Sequence, residues 1–233
     1  MADSRLKMAL IGCGGIAQAH WDGIQRIATR VDVTAVVDKN EDAANAMAAK
    51  TGADAFTDME EALKEGDFDA VDIMLPHDLH EFAALACFGA GKHVLLEKPM
   101  AHTLESAERI LEASNRVDTV FMIAEQAQYW TDVIKARELM DADAIGDVIS
   151  ASGNFYDRVV LDPDAPAPWR YSLEVSGGGL TIDGGAHWIR PLRMMMGEVD
   201  EVIGVVGHHL PRMEGESWSR MLMNFENGSA GVL

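Results

Sequence analysis

The sequence is short of cysteine, of positive charge and of long apolar runs, and each shortage closes off a class of protein. Two cysteines, Cys13 and Cys87, sit in separate apolar stretches of the 233 residues. They cannot build the disulfide framework of a small secreted domain, and a reducing cytoplasm is the expected compartment. Lysine and arginine number 19 against 38 aspartates and glutamates, for a net charge of −19. No basic stripe offsets that excess, so nucleic acid and anionic lipid surfaces are not expected partners. No run of about 18 apolar residues occurs, and no transmembrane helix is expected. The opening Met1-Ala2-Asp3-Ser4-Arg5 lacks the basic-then-apolar order of a signal peptide. What remains is ordinary globular material, 48% hydrophobic and 24% charged, in a length that suits one large domain or two small ones.

The first 120 or so residues alternate continuous apolar β runs with helical patterns. Strands are expected at 6–12, 31–37, 70–75, 93–96 and 119–124, and helices at 16–29, 41–50, 57–64, 79–89 and 103–115. Thr57 with Glu60 reads as a capping box, and Thr103 as another N-cap. Unbroken apolar strands between helices predict a parallel sheet covered on both faces. The rhythm changes near residue 124. Beyond it the pattern predicts a helix over 131–140, mixed strand character over 148–156 and a Pro/Asp loop over 162–168. A glycine turn at 176–179, a helix over 183–196 and strands over 199–206 and 218–225 follow. Asn227-Gly228 is a hairpin signal that returns the chain into a last strand.

Gly12-Cys13-Gly14-Gly15-Ile16-Ala17 fits the dinucleotide fingerprint G-x-G-x-x-G/A, in the strand–loop–helix setting that it needs. Gly12 permits the tight turn, Gly14 lets backbone N–H groups approach a pyrophosphate, and Ala17 allows close helix–strand packing. The helix N-terminus, from Gly15 and Ile16 onward, favours the phosphate charge. Asp38 ends the second of these strands, where an acid meets the adenosine ribose hydroxyls. A carboxylate there repels a 2′-phosphate, which favours NAD, while the neighbouring Lys39 keeps NADP open. Cys13 fills a loop position.

Leu75-Pro76-His77-Asp78-Leu79-His80 and Ala90-Gly91-Lys92-His93-Val94-Leu95-Leu96-Glu97-Lys98-Pro99-Met100-Ala101 follow further on. Here the chain resembles the glucose–fructose oxidoreductase / inositol dehydrogenase / MocA family, a likeness that covers essentially the whole sequence. Lys98 closes a parallel strand, where open α/β sheets place ligands, and an ammonium in a dry cleft stabilises a developing alkoxide. The resemblance implies that Lys98 bridges nicotinamide ribose and substrate and that Lys98–Pro99 is cis. It also implies cofactor contacts from Pro76, His80 and Glu97. His77 stands where family members carry Asn, and either replaces that contact or is exposed. His20, His93 and His102 read as structural or exposed.

Gly177-Gly178-Gly179-Leu180-Thr181-Ile182-Asp183-Gly184-Gly185-Ala186-His187 matches the family's GGG-x-x-x-D-x-G-x-H element. Four residues apart on a helix, Asp183 and His187 share a face. A histidine titrates near neutrality and suits removal of a carbinol proton, with Asp183 orienting it or holding a neighbouring hydroxyl. Arg190 stands where the resemblance leads one to expect an acid. It either recognises a carboxylate or another electron-rich group, or pairs with a surface acid. Trp169-Arg170 resembles an element that approaches cofactor or substrate, with packing as the other reading of Trp169. Glu125 and Gln126 are placed along the cofactor groove, and Gln126 and Gln128 replace the usual Asn and Arg. Met194-Met195-Met196 serves packing, and His208-His209 lacks the companions of a metal site, so no metal is assigned.

The expected architecture is therefore α/β. A Rossmann domain over 1–124, a doubly wound parallel sheet, precedes an α+β domain over 125–233 with a mainly antiparallel sheet. The second domain is expected to be cut short after the Asn227-Gly228 turn, leaving its last strand as an exposed edge. The expected activity is hydride transfer between NAD(P) and a carbinol carbon of a sugar, polyol or related cyclic alcohol. Lys98, Asp183 and His187 are the catalytic candidates, and Trp169, Arg170 and Arg190 join them in holding substrate. The alternatives are a non-catalytic NAD-binding regulator on the same fold, or an inactive fragment of such an enzyme. By resemblance, a homo-oligomer forms through the sheet of the second domain.

Overall fold

A computed structural model describes residues 5–156 and 164–233. These divide into two compact units, the first ending at Ala124 and the second beginning at Glu125. The expected loop over 162–168 begins outside the described residues.

The first unit runs β1 (Leu6–Ile11), α1 (Gly15–Gln25), β2 (Val31–Val37), α2 (Glu41–Thr51), β3 (Asp54–Phe56), α3 (Met59–Glu65), β4 (Ala70–Ile73), α4 (His80–Gly89), β5 (His93–Glu97), α5 (Leu104–Ser114) and β6 (Phe121–Ala124). Its six strands lie in the order β3-β2-β1-β4-β5-β6, all pairs parallel. The order reverses between β1 and β4, which is where a doubly wound sheet opens its ligand crevice. Alternation along the strands feeds two cores. Ala9 and Ile11 pack with Val71, Ile73, Ala84 and Ile110 on one face. Leu10 and Val36 pack with Ala17, Ile24 and Met47 on the other. That two-sided burial explains why the strands read as unbroken apolar runs.

Local chemistry moves several boundaries. β3 is a strand to which the sequence pattern assigns no residues. α3 starts one residue later than the Thr57 capping box predicts, because the Asp58 carboxylate takes the Glu61 N–H. An ionised cap at that position also interacts favourably with the helix dipole. α1 ends at Gln25 rather than 29, since the N–H groups of Arg26 and Ile27 turn back to carbonyls three residues earlier.

The second unit runs α6 (Thr131–Asp141), β7 (Ser150–Ser152), α7 (Leu173–Ser176), α8 (Leu180–Asp183), α9 (Ala186–Met196), β8 (Val199–Gly207), β9 (Trp218–Phe225) and β10 (Ala230–Val232). Its four strands lie in the order β7-β10-β9-β8, with β10 parallel to β7 and the other pairs antiparallel. Met223 and Phe225 on β9 pack against Leu192 and Met196 of α9. The Asn227-Gly228 turn forms as read, with Gly228 at φ +83°. The last strand is not an edge, contrary to expectation. β10 lies between β7 and β9, because the short 150–152 segment pairs with its far side. Among the described residues no helix is long and apolar enough to cross a membrane.

Candidate active site

In the first unit the glycine loop joins β1 to α1. Gly12 lies at φ +95°, and a side chain there would strike the Met74 carbonyl. Gly14 and Gly15 are exposed, with open space where their side chains would be. Gly14 caps α1 without a side-chain partner, so the first N–H groups of the helix stay available to an anion. Ile16 is exposed beside them, while Ala17 is fully buried against the sheet. Asp38 fastens the other side of the loop, its Oδ2 accepting the Cys13 N–H at 2.8 Å and its Oδ1 the Asn40 N–H at 2.8 Å. Burial and the Asp38 charge push the Cys13 thiol up to about 11, which makes it a packing group rather than a nucleophile. The open helix end, the side-chain-free cradle and the carboxylate at the β2 terminus fit a dinucleotide.

Lys98 follows β5 at the carboxyl edge of the sheet, and Lys98–Pro99 is cis. Two groups hold this turn. The Lys98 N–H donates to Glu97 Oε2 at 3.0 Å. His80, wholly buried, places Nδ1 at 2.9 Å from the Pro99 carbonyl and Nε2 at 2.9 Å from the Leu75 carbonyl. Burial lowers its pKa, and its chemistry goes into joining the segment around Pro76 to the Lys98 turn. His77 is buried, which removes the exposed reading.

The second unit carries the histidine. His187 Nδ1 lies 2.8 Å from Glu125 Oε1, and that carboxylate also accepts the Ala127 N–H at 2.8 Å. A carboxylate accepts only, so Nδ1 donates in this pair and Nε2 takes no part in it. Gln126 is exposed at the start of the turn that Glu125 caps.

The expected single helix carrying Asp183 and His187 is broken. α8 ends at Asp183, and the Gly184-Gly185 link begins a new helix in which the His187 N–H donates to Gly184, not Asp183. A side chain on Gly185 would overlap the Thr181 carbonyl, so the link needs glycine. Asp183 instead accepts from Arg170 Nε at 3.1 Å, and that guanidinium lies 4.3 Å from the Trp169 ring centre. Arg190, one turn beyond His187, donates to the Gln128 side-chain oxygen at 2.9 Å. Among the described residues no carboxylate pairs with it.

Two acids have parts that the sequence pattern does not show. Glu125 stands on the ring of His187. Glu216 accepts the N–H groups of Gly179 and Thr181, each at 2.9 Å. Burial pushes its pKa up, but hydrogen bonding from Thr181, with the backbone of Glu216 and Gly179, outweighs it and holds the pKa below the usual carboxylate range. The signal for it was the orphan donors that every helix start carries.

A doubly wound sheet with an open glycine loop, followed by an α+β unit that presents a carboxylate-held histidine, defines a dinucleotide-dependent oxidoreductase architecture. Residues 6–125 match the model of the oxidoreductase family with an NAD-binding Rossmann fold, and residues 133–233 match the GFO/IDH/MocA C-terminal domain. The chain belongs to the Gfo/Idh/MocA oxidoreductase family. It is 28% identical to levoglucosan dehydrogenase of Pseudarthrobacter phenanthrenivorans, over 97% of this chain and 60% of that protein. It is 26% identical to myo-inositol 2-dehydrogenase of Thermotoga maritima, over 98% of this chain and 67% of that one. The crystal structure of the WlbA dehydrogenase from Bordetella pertussis, in complex with NADH and UDP-GlcNAcA, superposes with a TM-score of 0.92 at 26% identity. That match covers all of this chain and 67% of WlbA.

Proposed function

We propose that the protein is an NAD-dependent dehydrogenase or reductase acting on a carbinol carbon of a sugar, polyol or related cyclic alcohol. The observation that carries this reading is the His187–Glu125 pair, an imidazole oriented by a buried carboxylate within a family of oxidoreductases. The similar levoglucosan and inositol dehydrogenases support the substrate class. Asp38 supports NAD over NADP, because it would face a 2′-phosphate with like charge.

Gly12, Gly14, Gly15, Ile16 and Asp38 would hold the dinucleotide, with Pro76, Glu97 and Gln126 lining its path. His80, expected as a cofactor contact, is fully buried with both ring nitrogens against backbone carbonyls and fastens the Lys98 turn instead. When bound, nicotinamide supplies the hydride acceptor. His187 would take the proton of the carbinol hydroxyl through Nε2. The Lys98 ammonium stabilises the oxygen as its charge develops. Asp183, held by Arg170, receives a neighbouring hydroxyl, and Trp169 and Arg190 complete the substrate contacts. The free cysteines suit a reducing cytoplasm. A second copy is assigned to the open face of the β8–β9 sheet.

The test is calorimetric titration with NAD and NADP, then turnover on a panel of polyols and anhydrosugars. NAD is expected to bind more tightly. Lys98→Met and His187→Ala are each expected to lower kcat/KM by about 100-fold or more. Wild-type rates in both variants would sink the assigned roles.

A further inference from the structure

α1, the helix that follows the glycine loop, carries His20 on the side that faces the sheet. The imidazole spans two acids from different strands. Nδ1 lies 2.7 Å from Asp72 Oδ2 on β4, and Nε2 lies 2.9 Å from Glu97 Oε1 at the end of β5. Asp72 is 1% exposed and Glu97 9%. Both neighbours of Asp72 along β4, Val71 and Ile73, point into the opposite core, so its carboxylate enters the layer under α1. An acid in the middle of a central buried strand is costly unless a donor meets it. Here the donor is a single ring that must carry a proton on each nitrogen, since both partners are carboxylates. Its pKa is accordingly raised, by hydrogen bonds to Asp72 and Glu97 that overcome burial.

The second oxygen of Glu97 is the one that accepts the Lys98 N–H. The chain of contacts therefore runs from α1 through His20 to Glu97 and on to the backbone of Lys98. We propose that His20 is a positioning residue: it locks the dinucleotide-holding helix and the Lys98 turn onto one buried carboxylate, and so sets the alignment of Lys98 for hydride transfer. This rests on the roles given above to the glycine loop and Lys98. His20 touches neither cofactor nor substrate in this scheme. A rigid tie matters because a displacement of about 1 Å at a reacting group can cost up to about 100-fold in rate.

The experiment is a double-mutant cycle of His20→Gln and Glu97→Gln in the full chain, with amide hydrogen exchange at Lys98 as a readout that needs neither cofactor nor turnover. His20→Gln should speed exchange of the Lys98 amide by about tenfold or more while protection of Leu95 within β5 is kept. It should lower kcat by about tenfold, with the KM for the alcohol substrate held within about twofold. Because both residues act along one chain of contacts, the double variant should be no slower than the slower single variant. Multiplying losses, or unchanged Lys98 exchange with wild-type kcat, would overturn the proposal. If His20→Gln fails to fold, Glu97→Asp reads the same geometry, since it keeps the charge and withdraws the acceptor from Lys98. A wild-type kcat in that variant also overturns the proposal. Failure of the underlying reading shows separately, as a Lys98→Met variant with wild-type kcat.

Discussion

His20 is held as an imidazolium because the alternative is worse. Without its second proton, two buried carboxylates would face one ring with a single donor between them. Its pKa is raised from 6.5 to about 10. Below pH 6.5 the folded and unfolded chains both carry that proton, and between 6.5 and about 10 only the folded chain does. Stability therefore falls as pH rises through this window, with a slope of up to about 1.4 kcal/mol per pH unit for one whole proton. Burial raises Asp72 as well, which adds a loss of the same sign from just above the ordinary carboxylate range. Denaturant midpoints of wild type and His20→Gln at pH 7 and pH 10 check this. Wild type is expected to lose more stability than the variant, and equal losses would mean that the ring holds no extra proton. The cluster was not legible in the sequence, where His20 reads as structural or exposed. Its partners lie 52 and 77 positions away, and only the sheet order brings β4 and β5 under α1. The glycine loop was legible because its chemistry is contiguous: one turn, one helix start and one acid at the end of the next strand.

Elements show the same split between local and distant causes. The triple-glycine run reads correctly as a turn into a helix, but the pattern misses that the helix comes in two pieces. Side chains four apart share a face only while the helix is continuous, and Gly184-Gly185 interrupts it. What holds α8 in place is Glu216, from the segment before β9. Its backbone carbonyl takes the Leu180 N–H at 2.9 Å, and its carboxylate takes those of Gly179 and Thr181. A side chain on Gly179 would overlap the Glu216 backbone, so the close approach needs glycine there. Glu216→Ala leaves two donors without their acceptor and is expected to cost about 1–3 kcal/mol. Since the folded carboxyl titrates below its ordinary 4.5, its contribution is present above pH 4.5 and is lost as pH falls through the lowered value. Urea unfolding at pH 7 measures the loss. A change under about 0.3 kcal/mol would show that water replaces the carboxylate at no cost.

At the scale of the whole molecule, the sheet of the second unit sets a question that the strand pattern answered wrongly. The expected exposed edge was the last strand, because a chain that returns from a hairpin has one partner in sequence. β7 supplies the second partner from about 80 residues earlier, and β8 becomes an outer strand instead. Residues directly opposite across antiparallel strands share a face. Ile203 lies opposite Leu222, Val205 opposite Arg220, and Val232 on β10 opposite Leu222. Met223 points the other way, into the α9 core. The face turned away from α9 thus displays Ile203, Val205, Leu222 and Val232, each more than two-fifths exposed. Grouped apolar exposure of this kind marks an association surface. The net charge of −19 works against it, since two such copies repel at long range. Apolar attraction survives added salt while that repulsion is screened within about 8 Å at physiological strength. Self-association should therefore strengthen as salt rises from about 0.05 to 0.5 M, the reverse of a contact made by ion pairs. Val205→Glu, which adds an unpaired charge to the centre of the face, should abolish it. Light scattering coupled to size exclusion reads both effects. A chain that is monomeric at every salt concentration, or a Val205→Glu variant with the wild-type mass, would remove the second copy from this face.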